Sequence, residues 1–168
     1  FCLAAAGVRA SAEERAMMAP YLYGPACSPH LAARIEGRPV EIAAIRRAAE
    51  RLAAGRGALV VEGAGGAMVP LNKSQTMLDL MFELRLPVIV AALDSLGTIN
   101  HTLLTLAALR AAGLEAVGVV FNRPESAAVG GSDLDELIRR DNPEIIAHLG
   151  GAAVLGVLPH VPALAAGG

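Results

Sequence analysis

The chain has 168 residues, of which 54% are apolar, 18% charged and 3% aromatic, with no Trp and a net charge of −2. That balance gives no basis for a nucleic-acid or anionic-membrane partner, and no apolar run reaches the roughly 18 residues that a bilayer-spanning helix needs. Two cysteines, Cys2 and Cys27, make neither a disulfide framework nor a metal cluster, which fits a reducing cytosol.

The first element in chain order is an Ala- and Glu-rich stretch, residues 3–18, predicted as one helix stopped by Pro20. Residues 19–30, APYLYGPACSPH, hold three prolines and a glycine and read as a loop. A second helix is expected over 40–54, with Gly55 as its glycine cap. ALVVEGAGG, from residue 58, reads as a short buried strand feeding a glycine turn. Thr76 is placed to cap a helix running to residue 84 or 85. LPVIVAAL (86–93) is a second apolar strand, followed by a helix from near Ile99 to Gly113. AVGVVFN (116–122) and AAVLGVLP (152–159) are a third and fourth strand, with one or two amphipathic helices in DLDELIRRDNPEIIAHLG between them. The charges around 133–140 fit the solvated face of such a helix.

Strands that are continuous apolar runs and alternate with helices indicate an α/β fold, a parallel sheet flanked by helices on both faces. No repeat, low-complexity linker or second domain is visible, so one α/β domain over 1–168 is expected. In such sheets ligands bind just beyond the carboxyl ends of the strands. Four stretches qualify: Glu62 with its glycines, residues 94–101, Asn122, and residues 159–164.

The residues of each stretch admit more than one reading. A carboxylate ending a buried strand suits Mg²⁺, which prefers oxygen ligands, and the glycines after it would let phosphates approach the backbone. It equally suits a strand-ending turn with Glu62 solvated. A phosphate loop of the G-x-x-x-x-G-K-[ST] type is excluded, because Ala67 and Met68 follow Gly66. In GTINHT (97–102), first-turn amides with Thr98 and Asn100 could receive an anion or simply begin a helix. His101 is either a base or ligand, or structural. Asn122 presents a donor and an acceptor suited to a purine edge, or caps a turn. Ser28, Pro29 and His30 fit a rigid loop with a local hydrogen bond, and Cys27 has no base in view that would make it a nucleophile.

Taken together and in order, PYLYGPACSPHLAARIEGRPV, VVEGAGGAMVPL, TMLDL, LPVIVAALDSLGTINHTLLTLAALRAAGL, GVVFN and VLGVLP resemble the dethiobiotin synthetases over nearly all of residues 19–159. VEGAGG by itself is shared with the amidotransferase-like synthetases of cobalamin biosynthesis; with VPL and LGTINHTLLT it is specific. The resemblance implies a P-loop NTPase-like fold, a cytoplasmic homodimer, and closure of a ureido ring from 7,8-diaminononanoate and CO₂ with ATP and Mg²⁺. It also implies the roles of individual residues. Glu62 would bind Mg²⁺, with Gly63, Ala64 and Gly65 lining the nucleotide. Asn122 would read adenine with Arg123 beside it, and Pro159, His160 and Val161 would pack along the base. Thr98, Ile99 and Asn100 would receive the substrate carboxylate at the dimer interface.

This chain departs from that pattern at its start. Family members open with a strand, a lysine-bearing phosphate loop, a helix, and a second strand with a further lysine and a metal-binding aspartate. Here the only lysine is Lys73, in the loop after VPL. The chain opens on Phe1 without a basic signal region, and at 30 or more residues per βαβ unit, roughly 50 residues are expected to precede it. The expectation is that the 168 residues are inactive by themselves and that unpaired apolar strand edges make them prone to aggregate. Two alternatives remain: a cobyrinate-type amide synthetase or partition-type ATPase of the same fold, and a non-catalytic nucleotide-binding or dimerising subunit.

Overall fold

A computed structural model describes residues 2–123 and 133–161. The chain falls into two units, residues 1–85 and 86–168.

The first unit is helical among its described residues. The predicted helix over 3–18 is two, α1 (Cys2–Ala5) and α2 (Ala12–Met18). Gly7, at φ 64°, takes the left-handed conformation that ends the first, and Ser11 starts the second with a capping box. Its hydroxyl accepts the Glu14 N–H at 3.1 Å, and the Glu14 carboxylate accepts the Ser11 N–H at 2.8 Å. A helix that the prolines concealed, α3 (Pro29–Ile35), occupies the end of the expected loop and continues past it. Proline at the first helical position costs no hydrogen bond there, so Ser-Pro was a start signal as well as a loop signal. The amphipathic α4 (Ile42–Ala53) buries Ile42 and Leu52, and Gly55 follows it at φ 75°. Salt bridges from Arg51 of α4 to Glu13, and from Arg56 just beyond α4 to Glu14, tie this region to α2. Thr76 begins α5 (Met77–Leu84). The core of the unit is Ala33, Val40, Ile42, Leu71, Met77 and Leu80, with Tyr21 and Tyr23 packed against it.

The strand expected at residues 58–62 does not form. The segment is irregular, and Val60 is 91% exposed. A strand exists through its ladder partners, and no described residue pairs with this one. Apolar content alone therefore overstated it.

The second unit holds the sheet. β1 (Val88–Leu93), β2 (Ala116–Asn122) and β3 (Val154–Leu158) lie parallel in that order. The helices α6 (Thr98–Ala111) and α7 (Asp133–Gly150) fall between successive strands. α7 is one continuous helix that carries Pro143 inside it. Val90, Ala92, Val119 and Phe121 are buried, as are Leu106, Leu109 and Ile146 of the helices. This is the α/β, parallel-sheet architecture that strand–helix alternation indicates. Alternate residues of β1, Ile89 and Leu93, are exposed. The register places Leu93 beside Asn122 and Asn122 beside Leu158, so all three strands end at one level.

Candidate functional site

That common level gathers the candidates of the second unit. β1 runs into Asp94, whose N–H donates to the Asn122 carbonyl at 2.9 Å and adds one rung beyond the strand. The chain then turns tightly, with the Thr98 N–H on the Ser95 carbonyl at 3.2 Å. Gly97 makes the turn at φ 93°, a left-handed value that a side chain would strain. α6 starts at Thr98, one residue earlier than expected. Its first-turn amides beyond Thr98, those of Ile99 and Asn100, have no helical acceptor.

Thr98 and Thr102 are buried, their hydroxyls 3.5 Å apart. They line a cavity of about 290 Å³ together with Ser95, His101, Thr105 and β1. His101 is exposed, and its backbone carbonyl accepts the Thr105 hydroxyl at 2.9 Å.

Asn122 is the last residue of β2, and it is exposed. Arg123 follows, donating its backbone N–H to the Leu158 carbonyl at 3.0 Å, which joins the exits of β2 and β3. Its guanidinium turns back to Asp94: Nε lies 2.7 Å and Nη2 2.6 Å from Oδ2. The Asp94 side chain is 1% exposed against 31% for Arg123, so the pair sits at the boundary between core and solvent. Pro159 and Val161 are exposed and His160 half-buried along the continuation of β3. Of the expected segment 159–164, residues 162–164 lie outside the described residues.

Asp94 lies in the candidate stretch 94–101, but the sequence assigned it no role of its own. The available signal was an aspartate directly after one buried parallel strand and an arginine directly after its neighbour.

Glu62, Gly63, Ala64 and Gly65 belong to the first unit. Glu62 is exposed and makes no ion pair or hydrogen bond with a described residue. The glycines have packing reasons of their own. A Cβ on Gly63 would stand 3.0 Å from Met77 Sδ, and one on Gly65, at φ 78°, 2.9 Å from Val69 Cγ2. The turn is tied to the start of α5 by Leu78 N–H to the Ala67 carbonyl (2.8 Å) and Met77 N–H to the Val69 carbonyl (2.9 Å). In the same unit Ser28 Oγ and His30 Nδ1 are 3.1 Å apart, and the His30 N–H donates to the Pro70 carbonyl at 3.2 Å. The local hydrogen bond is the expected one, but it sits at the start of α3 and not in a loop. Cys27 is exposed.

Among the described residues no three His, Cys, Asp or Glu side chains converge on a metal-sized space. A lone exposed carboxylate such as Glu62 is compatible with Mg²⁺, which keeps several waters and is commonly shared with substrate phosphates. No described helix is long and apolar enough to cross a membrane.

Comparison with known proteins places these features in a family. The chain is 42% identical over 146 residues to the ATP-dependent dethiobiotin synthetase of Anaeromyxobacter sp. strain K, covering 87% of this chain and 62% of that one. It is 51% identical over 104 residues to the enzyme of that name from Anaeromyxobacter dehalogenans strain 2CP-1, covering 62% and 47%. With the Clostridium acetobutylicum protein of the same name identity is 33% over 153 residues, covering 89% and 60%. The chain thus spans roughly half to two thirds of the length of these relatives. A family profile described as an AAA domain matches residues 4–167, from α1 to beyond β3, and the chain belongs to that family.

Proposed function

We propose that the chain works as part of an ATP-dependent dethiobiotin synthetase, closing the ureido ring of dethiobiotin from 7,8-diaminononanoate and CO₂. The observation that carries this reading is the 42% identity to a synthetase of that name over 87% of the chain. The alignment of strand ends that brings Thr98, Asn122 and Arg123 to one sheet edge supports it.

In the proposed chemistry one substrate amine adds to CO₂ to give a carbamate. Transfer of the ATP γ-phosphoryl group to a carbamate oxygen releases ADP, and attack by the second amine on that carbon expels phosphate and closes the ring. Little covalent work falls to the protein, so positioning and charge neutralisation are its tasks. The Asn122 amide would offer its donor and acceptor to the adenine edge, with Pro159 and Val161 against the base. The amides of Ile99 and Asn100 would hold the substrate carboxylate at the start of α6, from the partner protomer of a cytoplasmic homodimer. Glu62 would hold Mg²⁺, which when bound supplies positive charge to the phosphates.

A chimera tests the reading. The matched stretch of the Anaeromyxobacter sp. strain K synthetase is replaced by this chain, and dethiobiotin is measured by mass spectrometry after incubation with 7,8-diaminononanoate, bicarbonate, ATP and Mg²⁺. Dethiobiotin formation is expected. A folded chimera that binds ATP but forms none overturns the proposal.

A further inference from the structure

Asp94 has no role in the reading above, yet it holds both the carbonyl of the residue on which base recognition rests and the side chain of the residue after it. Its backbone N–H holds the Asn122 carbonyl at 2.9 Å. Its Oδ2 takes both Nε and Nη2 of Arg123, the next residue, at 2.7 and 2.6 Å. The Arg123 N–H is in turn fixed on the Leu158 carbonyl. The peptide unit that leaves Asn122 is thereby held at both its carbonyl and its N–H, and at the last residue of β2 that fixes the backbone from which the Asn122 side chain projects.

The form of the ion pair argues that orientation is its purpose. Nε donates to one carboxylate oxygen, Oδ2, and Nη2 stands 2.6 Å from that same oxygen, while the other, Oδ1, is buried with no hydrogen-bond partner among the described residues. A pair selected for stability alone would place one N–H on each oxygen, the fork-to-fork arrangement that satisfies both. A buried carboxylate with an unsatisfied oxygen is weak evidence for stabilisation. It does hold Arg123, and the exposed amide before it, in one arrangement.

We propose that Asp94 is a positioning residue for nucleotide-base recognition, acting through Arg123 and its own backbone amide to aim the Asn122 side chain at a purine edge. This rests on the proposed role of Asn122 in reading adenine. Adenine and guanine present opposite donor and acceptor patterns on that edge. An Asn amide held in one orientation separates them, whereas one free to rotate serves both. Asp94 therefore governs base preference more than it governs fold.

The test follows Asn122 side-chain amide signals in the ¹⁵N-labelled 168-residue chain during titration with ATP and with GTP, for wild type, Asp94→Asn and Arg123→Gln. NMR titration reads even millimolar affinities. Wild type is expected to favour ATP. Each variant should bind ATP at least about fivefold more weakly, the worth of one net hydrogen bond, and its ATP-to-GTP affinity ratio should fall toward one. Urea midpoints run alongside, because a purely structural role lowers the midpoint and leaves the ratio unchanged. If Asp94→Asn does not fold, Arg123→Gln breaks the same contact from the solvent side. A folded variant of either kind that keeps the wild-type ratio overturns the inference while leaving the role of Asn122 standing. Wild type with no preference between the nucleotides overturns the role of Asn122, and the inference with it.

Discussion

Two added methyl groups probe how rigidly the sheet presents its strand ends. Gly118 lies in β2, where a Cβ would stand 2.6 Å from the Ala153 carbonyl oxygen, 2.6 Å from Leu155 Cγ and 2.9 Å from its Cδ2. The Ala153 carbonyl accepts the Val119 N–H at 2.8 Å, so the strand cannot retreat without loosening that bond. Overpacking costs about 1–3 kcal/mol, and a weakened ladder bond adds about 1 kcal/mol. The loss of unfolded-state freedom on Gly→Ala returns up to about 1 kcal/mol. Gly118→Ala should therefore cost about 1–4 kcal/mol in sum, with about 2–3 kcal/mol the middle of that span. Gly150, the last residue of α7, receives the same methyl against Leu106 Cδ1 at 2.6 Å and Leu103 Cδ2 at 3.2 Å. Those are the ends of rotatable side chains, and alanine gains about 1 kcal/mol of helix propensity over glycine. Gly150→Ala should stay within about 1 kcal/mol of wild type. Urea unfolding followed by far-ultraviolet circular dichroism measures both, since the chain has no Trp. At a slope of about 1–3 kcal/mol per molar urea, Gly118→Ala should lower the midpoint by roughly 0.7–3 M. Equal midpoints for the two variants would refute the distinction between backbone and side-chain obstruction.

Three further outcomes are expected. The Asp79 carboxylate accepts the Thr76 N–H at 2.6 Å and its hydroxyl at 2.8 Å. These bonds, the backbone one foremost, hold its pKa below the usual value. That stability is present above the unfolded pKa of about 3.9 and is lost as pH falls through the folded value. Asp79→Ala should cost about 1 kcal/mol at pH 7 and converge with wild type in acid; a constant gap between pH 7 and 2 refutes this. Burial raises the pKa of Tyr23 above the ordinary value of 10.0, and its hydroxyl donates to the Arg38 carbonyl at 2.7 Å. Its contribution is complete below pH 10 and disappears as pH rises through the folded value, so absorbance at 295 nm should show one of the two tyrosines ionising late, and Tyr23→Phe should abolish the late step. Val60, 91% exposed in an unpaired segment, is an aggregation site by composition and exposure. Val60→Lys should reduce light scattering on concentration while moving stability by less than about 0.5 kcal/mol; unchanged scattering would locate the sticky surface elsewhere.

Sequence revealed most where the period of apolar residues and the local end signals agreed. Thr76, Gly113 and the run AVGVVFN marked their boundaries almost to the residue, because capping and strand burial act over a few neighbours. The stretch from 3 to 18 misled because Ala and Glu favour helix throughout, while Gly7 and Ser11 cut the run in two through backbone conformation and a two-residue hydrogen-bond exchange. α3 was concealed by the opposite bias, since proline signals a loop until its place at a helix start is recognised. The segment at 58–62 failed for a different reason. Its β-prone residues describe what such a segment would bury, and pairing is decided by chain far away in sequence.

The site divides along the same line. Asn122 was legible because strand ends in a parallel sheet face the ligand, a rule that needs only the strand's last residue. The same rule included Asp94 in the stretch 94–101, but its pairing was not legible, because that comes from the register of β1 against β2, which sets Leu93 beside Asn122 and brings Asp94 within reach of Arg123. The glycines after Glu62 make the converse point. Their spacing invited a phosphate-binding reading, yet Gly65 is already favoured by its φ of 78° and its closeness to Val69, and a Cβ on Gly63 would press on the Met77 side chain. Gly66 is the exception, with open space where a Cβ would go. Of the three glycines, Gly66 is therefore where packing places no demand, and Gly66→Ala isolates any requirement that a ligand places on this turn.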